Sequence, residues 1–212
     1  GRVGVRRGKD RGLGMMRRLA FAVAIVLTLS APSVVRAQST SDVIYAELDA
    51  WWAAAFAERG LSYSSPQFEF VEAPGLDFCG FFDKYSTPAL YCPGSRTISI
   101  STGFVAPDSL TALLTLVSHE WGHHVQILTD TGVASAIEYE LQADCFAGAF
   151  IAHLTRSDLV SPVIGAFALQ LSQAAGDVWW AVPFDEAIHG TQSDRAIAFL
   201  AGQNGGLAAC GF

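Results

Sequence analysis

The sequence is defined first by what it has little of. It holds four cysteines but no Cys-x-x-Cys pair, which argues against a structural metal site built from thiolates. Its longest apolar run, Leu19 to Leu29, covers 11 residues broken only by Thr28, well short of the ~20 that a spanning helix needs. Beyond residue 37 cations are scarce. Eight of the 13 basic residues but only one of the 20 acids lie in 1–37, leaving five basic against 19 acidic residues and a net charge of −14 in 38–212. A chain so acidic repels phosphate backbones and anionic lipid, so nucleic acid is excluded as a partner and solubility is favoured. There is no internal repeat, low-complexity tract or linker, and 212 residues suit a single domain or two small ones at most.

The N-terminal segment has its own pattern. Residues 1–14 are rich in Gly and Arg. Arg17 and Arg18 precede the apolar run, and Pro32 and Val35-Arg36-Ala37 follow it. This is the layout of a secretory signal peptide. The expected division is a leader and cleaved signal over 1–37 and one functional domain over 38–212. The expected location is secreted or periplasmic, with no membrane anchor after cleavage. All four cysteines fall in 38–212, and an even count in an exported chain points to two disulfides. Of three possible pairings, a local Cys79–Cys92 bridge across a Gly/Pro-rich loop would leave Cys145 with Cys210.

Element signals follow in order. Residues 42–58 are Ala-rich with helical apolar spacing and stop at Gly60, predicting a helix in which Trp51 and Trp52 are core aromatics. Residues 67–72 and 96–102 alternate apolar and polar and predict strands, with 73–95 as an irregular stapled loop or hairpin between them. A helix is expected from about Asp108 to Asp130, a second over 133–156, a third over 161–175 and a last over 192–202. Long helices with short strands ahead of the helix at 108–130 give an α+β, mainly helical fold. The strand at 96–102 is a candidate to receive an extended peptide as an added strand.

The chemistry concentrates in Ser118-His119-Glu120-Trp121-Gly122-His123-His124. This is H-E-x-x-H, three fixed positions that recur by chance about once in 8,000 starting points. On a helix His119 and His123 lie one above the other and can aim two imidazole nitrogens at one point, which suits zinc. Glu120, beside the first histidine, is placed to handle a proton on an activated water. His124 is ~100° round the helix from His123 and cannot easily share that ion, which leaves it a supporting or surface residue. His153 reads as structural.

A catalytic zinc takes three protein ligands and keeps an open position. The next helix offers Glu138, Glu140 and Asp144, in an otherwise apolar context where buried carboxylates want a cation. Glu140 is assigned as the third ligand. Asp144, on the same face, would accept the outer N–H of a ligand histidine. Glu138 falls on another face and should be solvated.

These blocks carry a resemblance. His119 to Gln126 (HEWGHHVQ) and Glu140 to Gly148 (ELQADCFAG) resemble a bacterial family of neutral zinc metallopeptidases. His189-Gly190-Thr191 with Arg195, Phe199, Gly202 and Cys210 agree with it, as do Cys79-Gly80 and Tyr91-Cys92-Pro93. The likeness covers roughly residues 79–212, and its ligand logic is similar to that of the gluzincins, where H-E-x-x-H pairs with a downstream E-x-x-x-D. The resemblance implies a zincin-like fold and Zn2+ as cofactor. It implies His119, His123 and Glu140 as metal ligands, Glu120 as the catalytic base and a peptide or protein as substrate. By its place in the His-Gly-Thr block, His189 is expected to be a second catalytic group that donates to the oxyanion. Two departures stand out: the Val178-Trp179-Trp180 segment is more aromatic than the family's, and no acid follows Cys210. The competing expectation is a non-catalytic zinc-binding exported protein, a binding or adhesion module.

Overall fold

The computed structural model describes residues 39–72, 88–130, 132–177 and 189–212. The expected signal segment, Cys79 and the Val178-Trp179-Trp180 segment lie outside these residues. The structure is built on five helices and one three-stranded sheet among the described residues. The α+β, mainly helical class expected from the sequence is the one found. None of the described helices is long and apolar enough to cross a membrane.

Helix α1 spans Thr40–Glu58 and starts at a capping box in which Ser39 and Asp42 satisfy each other's backbone N–H groups. Its buried face carries Ile44, Leu48, Trp52, Ala55 and Phe56. Trp52 is fully buried and Trp51 packs against the core from its edge. The C-terminal Phe212 closes over this face, 5.2 Å from the rings of both Trp52 and Phe56. Arg59 donates to the Phe212 carbonyl at 3.0 Å.

The sheet comprises β1 (Gln67–Val71), β2 (Ala89–Cys92) and β3 (Thr97–Ser101), in the order β1-β3-β2. β1 runs parallel to β3 and β2 antiparallel to it. Of the two readings given for residues 73–95, the hairpin fits its described end, because Ala89–Cys92 is a strand that turns back antiparallel onto β3. One expectation changes here. The strand at 96–102, expected to receive a peptide, is the central one and has both edges paired, so it cannot accept another. Every residue of β3 is buried, so its alternating Ile and Ser mark two covered faces rather than one wet one.

Helix α2 spans Leu110–Thr129 and begins at Ser109 rather than Asp108, without a side-chain cap. Asp130, at φ 46°, takes the left-handed conformation that ends it. Helix α3 spans Ala136–Arg156, capped by Ser135, and its buried stretch from Ala143 to Leu154 forms the centre of the core. Helix α4 spans Pro162–Ala174, with Ser161 as cap and Pro162 in the first turn. Helix α5 spans Gln192–Ala209, seven residues beyond the end expected at Gly202, with a non-helical Gly206 inside it.

Two close helix crossings fix the site. A Cβ on Gly122 of α2 would lie 2.8 Å from the Ala143 Cα of α3, so these backbones approach as closely as they do only because Gly122 has no side chain. On the other side of α3, Gly202 of α5 lies directly against the Cys145 carbonyl, where no Cβ would fit. The Cys145–Cys210 disulfide, with 5.6 Å between Cα atoms, locks α5 to α3. This is the distal pairing considered from the sequence. The other expected pairing involves Cys79, outside the described residues; Cys92 is disulfide-bonded.

Candidate metal centre

The packing of α2 against α3 creates the site. His119 and His123 occupy one face of α2 near its middle, where the helix is buried on nearly all sides. Glu140, one turn into α3, faces them because the Gly122–Ala143 contact brings the two helices together. One donor atom from each of the three side chains lies within 4.8 Å of the other two. His119 Nε2 is 3.2 Å from Glu140 Oε2, and His123 Nε2 is 3.4 Å from Glu140 Oε1.

Those separations can be tested against a metal. Two donors each ~2.0–2.1 Å from one tetrahedral centre lie roughly 3.3 Å apart. Two imidazoles and one carboxylate at this spacing could therefore hold a metal ion, and the three residues are those expected from the sequence. The outer ring nitrogens are also accounted for. His119 Nδ1 donates to Asp144 Oδ1 at 3.0 Å, and His123 Nδ1 donates to Gln126 Oε1 at 2.9 Å. Each bond holds the proton on Nδ1 and turns Nε2 towards the shared point, as metal-ligating histidines require.

Asp144 is itself heavily held. Arg195, on α5, donates to it twice, Nε to Oδ2 at 2.6 Å and Nη2 to Oδ1 at 2.8 Å. Ser172, on α4, adds a bond at 3.0 Å. Arg195 also donates to the Ala175 carbonyl at 3.1 Å. Elements α2, α3, α4 and α5 thus meet at one buried carboxylate.

The electrostatics follow from burial and from these neighbours. For His119 burial favours the neutral ring, but Asp144 and Glu140 outweigh it and raise the pKa to about 10. Glu140 is disfavoured as an anion by burial, yet His119 and His123 bring it down to about 2. His123 is lowered to about 4, chiefly by burial and then by the neighbouring His119. Glu120 goes the other way: burial, with help from Glu140, lifts it to about 7. A carboxyl poised near neutrality beside two imidazoles has the pKa that proton transfer at neutral pH wants. It also accepts a hydrogen bond from the backbone N–H of Tyr91 on β2.

The other residues singled out in the sequence lie around this group. His189 Nδ1 lies 3.3 Å from Asp177 Oδ1, and its backbone N–H donates to Asp177 Oδ2 at 2.8 Å. Its side chain is 42 % exposed, and it is near enough to Glu140 to help lower that carboxyl's pKa. His124 points away from the group and is fully buried, which removes the surface placement considered for it. Its Nε2–H donates to the Ser64 carbonyl at 2.7 Å and its Nδ1 accepts from the Tyr91 hydroxyl at 2.8 Å. His153 stacks on Trp51 at 5.8 Å, in keeping with a structural role. Glu138 is exposed, as expected, and accepts from the Ala134 N–H.

Sequence reasoning missed Gln126, Tyr139 and Asp177. Gln126 follows His123 by three positions, a spacing that puts both on one helix face, so it was findable. Tyr139, whose ring stacks on His123 at 4.9 Å and 12°, comes from another helix and left no local signal. Arg195 enters the sequence reading only through the resemblance, and its pairing with Asp144 depends on how α5 crosses α3.

The chain is similar to the uncharacterized protein YpfJ of Escherichia coli (strain K12), 28% identical over 204 residues that cover 82% of this chain and 70% of the relative. The YpfJ protein of Escherichia coli O6:H1 matches to the same extent. No family model matches the chain, and no solved structure matches it.

Proposed function

We propose that this protein is a zinc-dependent peptidase of zincin-like fold, secreted or periplasmic, and a member of the neutral zinc metallopeptidase family that its motifs resemble. The observation that carries the reading is the buried His119–His123–Glu140 group with Glu120 beside it. A site needed only to hold a metal has no use for a further buried carboxyl, Glu120, beside the three candidate ligands. The disulfide between Cys145 and Cys210 supports an oxidising compartment.

A zinc ion held by His119, His123 and Glu140 would supply Lewis acidity towards a peptide carbonyl and towards water. The chain's own residues do the rest. Glu120, buried beside the first ligand histidine, takes the proton from the attacking water and returns it to the departing amine. His189, with Asp177 on its Nδ1, has Nε2 as the ring atom left to reach an oxyanion. Asp144 and Gln126 keep the ligand rings oriented. An extended substrate would add to β2 rather than to β3, because β2 lies at the edge of the sheet and adjoins Glu120 through Tyr91.

Glu120→Gln separates this reading from a non-catalytic metal-binding module. Metal content should stay at the parent level while turnover of a peptide library falls by ~10²–10⁴-fold, the usual worth of a general base. Parent protein that binds zinc but cleaves no peptide, like its Glu120→Gln variant, would favour the binding module.

A further inference from the structure

Behind His123 runs a chain of amide groups that extends well beyond the reacting centre. Gln126 Nε2 donates to the Tyr139 carbonyl at 2.7 Å and to Gln142 Oε1 at 2.9 Å. Gln142 Nε2 in turn donates to the Cys210 carbonyl at 3.0 Å. Cys210 is bonded through sulfur to Cys145, the neighbour of Asp144.

The direction of every bond in this chain is determined. A carbonyl oxygen only accepts, so the Cys210 carbonyl must face the NH₂ end of Gln142. That turns Gln142 Oε1 towards Gln126, where it meets the NH₂ end. The Tyr139 carbonyl demands the same end of Gln126. Only Oε1 of Gln126 is then left for His123, and an amide oxygen at 2.9 Å needs a proton on Nδ1. Neutral imidazole carries one proton, so Nε2 is bare, and Nε2 is the atom 3.4 Å from Glu140 Oε1. His119 Nδ1 is held by a different kind of partner, a charged carboxylate that Arg195 holds. An amide has no charge with which to enforce a tautomer. It needs its own orientation fixed, and the relay provides that.

We propose that Gln142 and Gln126 are positioning residues that transmit the direction of the disulfide-anchored Cys210 carbonyl to His123, fixing its Nε2 as the bare, metal-facing nitrogen. Gln142 acts on the ring through Gln126, whose amide it orients. The relay also gives a reason for α5 to continue past Gly202 to Cys210. The late cysteine fixes a carbonyl as well as a helix.

The inference rests on the metal reading for its second readout only, so the two can fail separately. Long-range proton–nitrogen NMR on metal-free protein at neutral pH reports the His123 tautomer directly. The parent should show His123 protonated on Nδ1. Gln142→Met, close in shape and unable to orient the Gln126 amide, should shift His123 towards a mixture of tautomers. Zinc affinity, measured by competition with a chromophoric chelator, should fall by ~10–100-fold, the usual effect of losing an outer partner of a metal ligand. A parent with His123 protonated on Nε2 overturns the relay whatever the variant does. A Gln142→Met protein with parental tautomer and parental affinity overturns it as well. If the parent binds no zinc yet the tautomer changes in Gln142→Met as expected, the relay stands and the metal reading falls.

Discussion

At the scale of single residues, the site depends on what stands behind the ligands. Asp144 is almost completely buried and carries a charge, which costs several kcal/mol unless it is paired. Arg195 supplies two bonds to it, and His119 and Ser172 supply the others. These contacts hold its carboxyl below the ordinary aspartate range despite burial. Replacing Arg195 by Met leaves that anion without its two-bond partner. Breaking a buried pair of this kind costs ~3–5 kcal/mol, and urea denaturation should show a loss of that order. A loss under ~1 kcal/mol, the worth of an exposed pair, would mean that the guanidinium is solvated in solution and that Asp144 is held by other groups. The residues whose chemistry is set by local spacing, His119, Glu120, His123 and Glu140, were legible from the sequence. Arg195 was legible only through the resemblance and Tyr139 not at all, because nothing within a turn of them encodes the crossing that brings them in.

At the scale of elements, helices were more legible than strands for a physical reason. Each helix carries 13 to 21 residues of periodic pattern, several with capping signals such as Ser39, Ser135 and Thr191. The strands have only four or five residues. β2 falls beside Pro93 and Gly94, whose turn signals mask it. β3 alternates Ile with Ser, a pattern that usually means one wet face, but Ser99 is covered and donates to Glu69 at 3.0 Å. The α2–α3 crossing is the element contact on which the site depends. Gly122→Ala would gain roughly 1 kcal/mol of helix propensity on an isolated helix. Here the added carbon would meet the Ala143 backbone at 2.8 Å, and overpacking against backbone costs ~1–3 kcal/mol. The expected outcome is a net destabilisation in thermal unfolding, accompanied by weaker zinc binding because Glu140 is displaced from the histidines. A Gly122→Ala variant more stable than the parent would show that α3 can slide away freely, and that the close approach does not position Glu140.

At the scale of the whole molecule, the buried core and the disulfide serve one end. α1 and the C-terminal Phe212 cover the apolar face of α3, while α4 and α5 close over Asp144 on its polar side. The Nε2 atoms of His119 and His123 are turned towards Glu140, near which Glu120 and His189 also lie. The acidic balance of 38–212 is spread over exposed positions such as Glu58, Asp108 and Glu138, whereas Glu120, Glu140 and Asp144 are withdrawn from solvent. Such withdrawal is stable only with cations or protons among them. The most direct measurement is zinc per chain in protein purified under oxidising conditions, beside Glu140→Ala. About one zinc per parent chain and a large loss in the variant are expected. A folded parent that takes up no zinc even when zinc is supplied would contradict the three-ligand centre and the peptidase built on it.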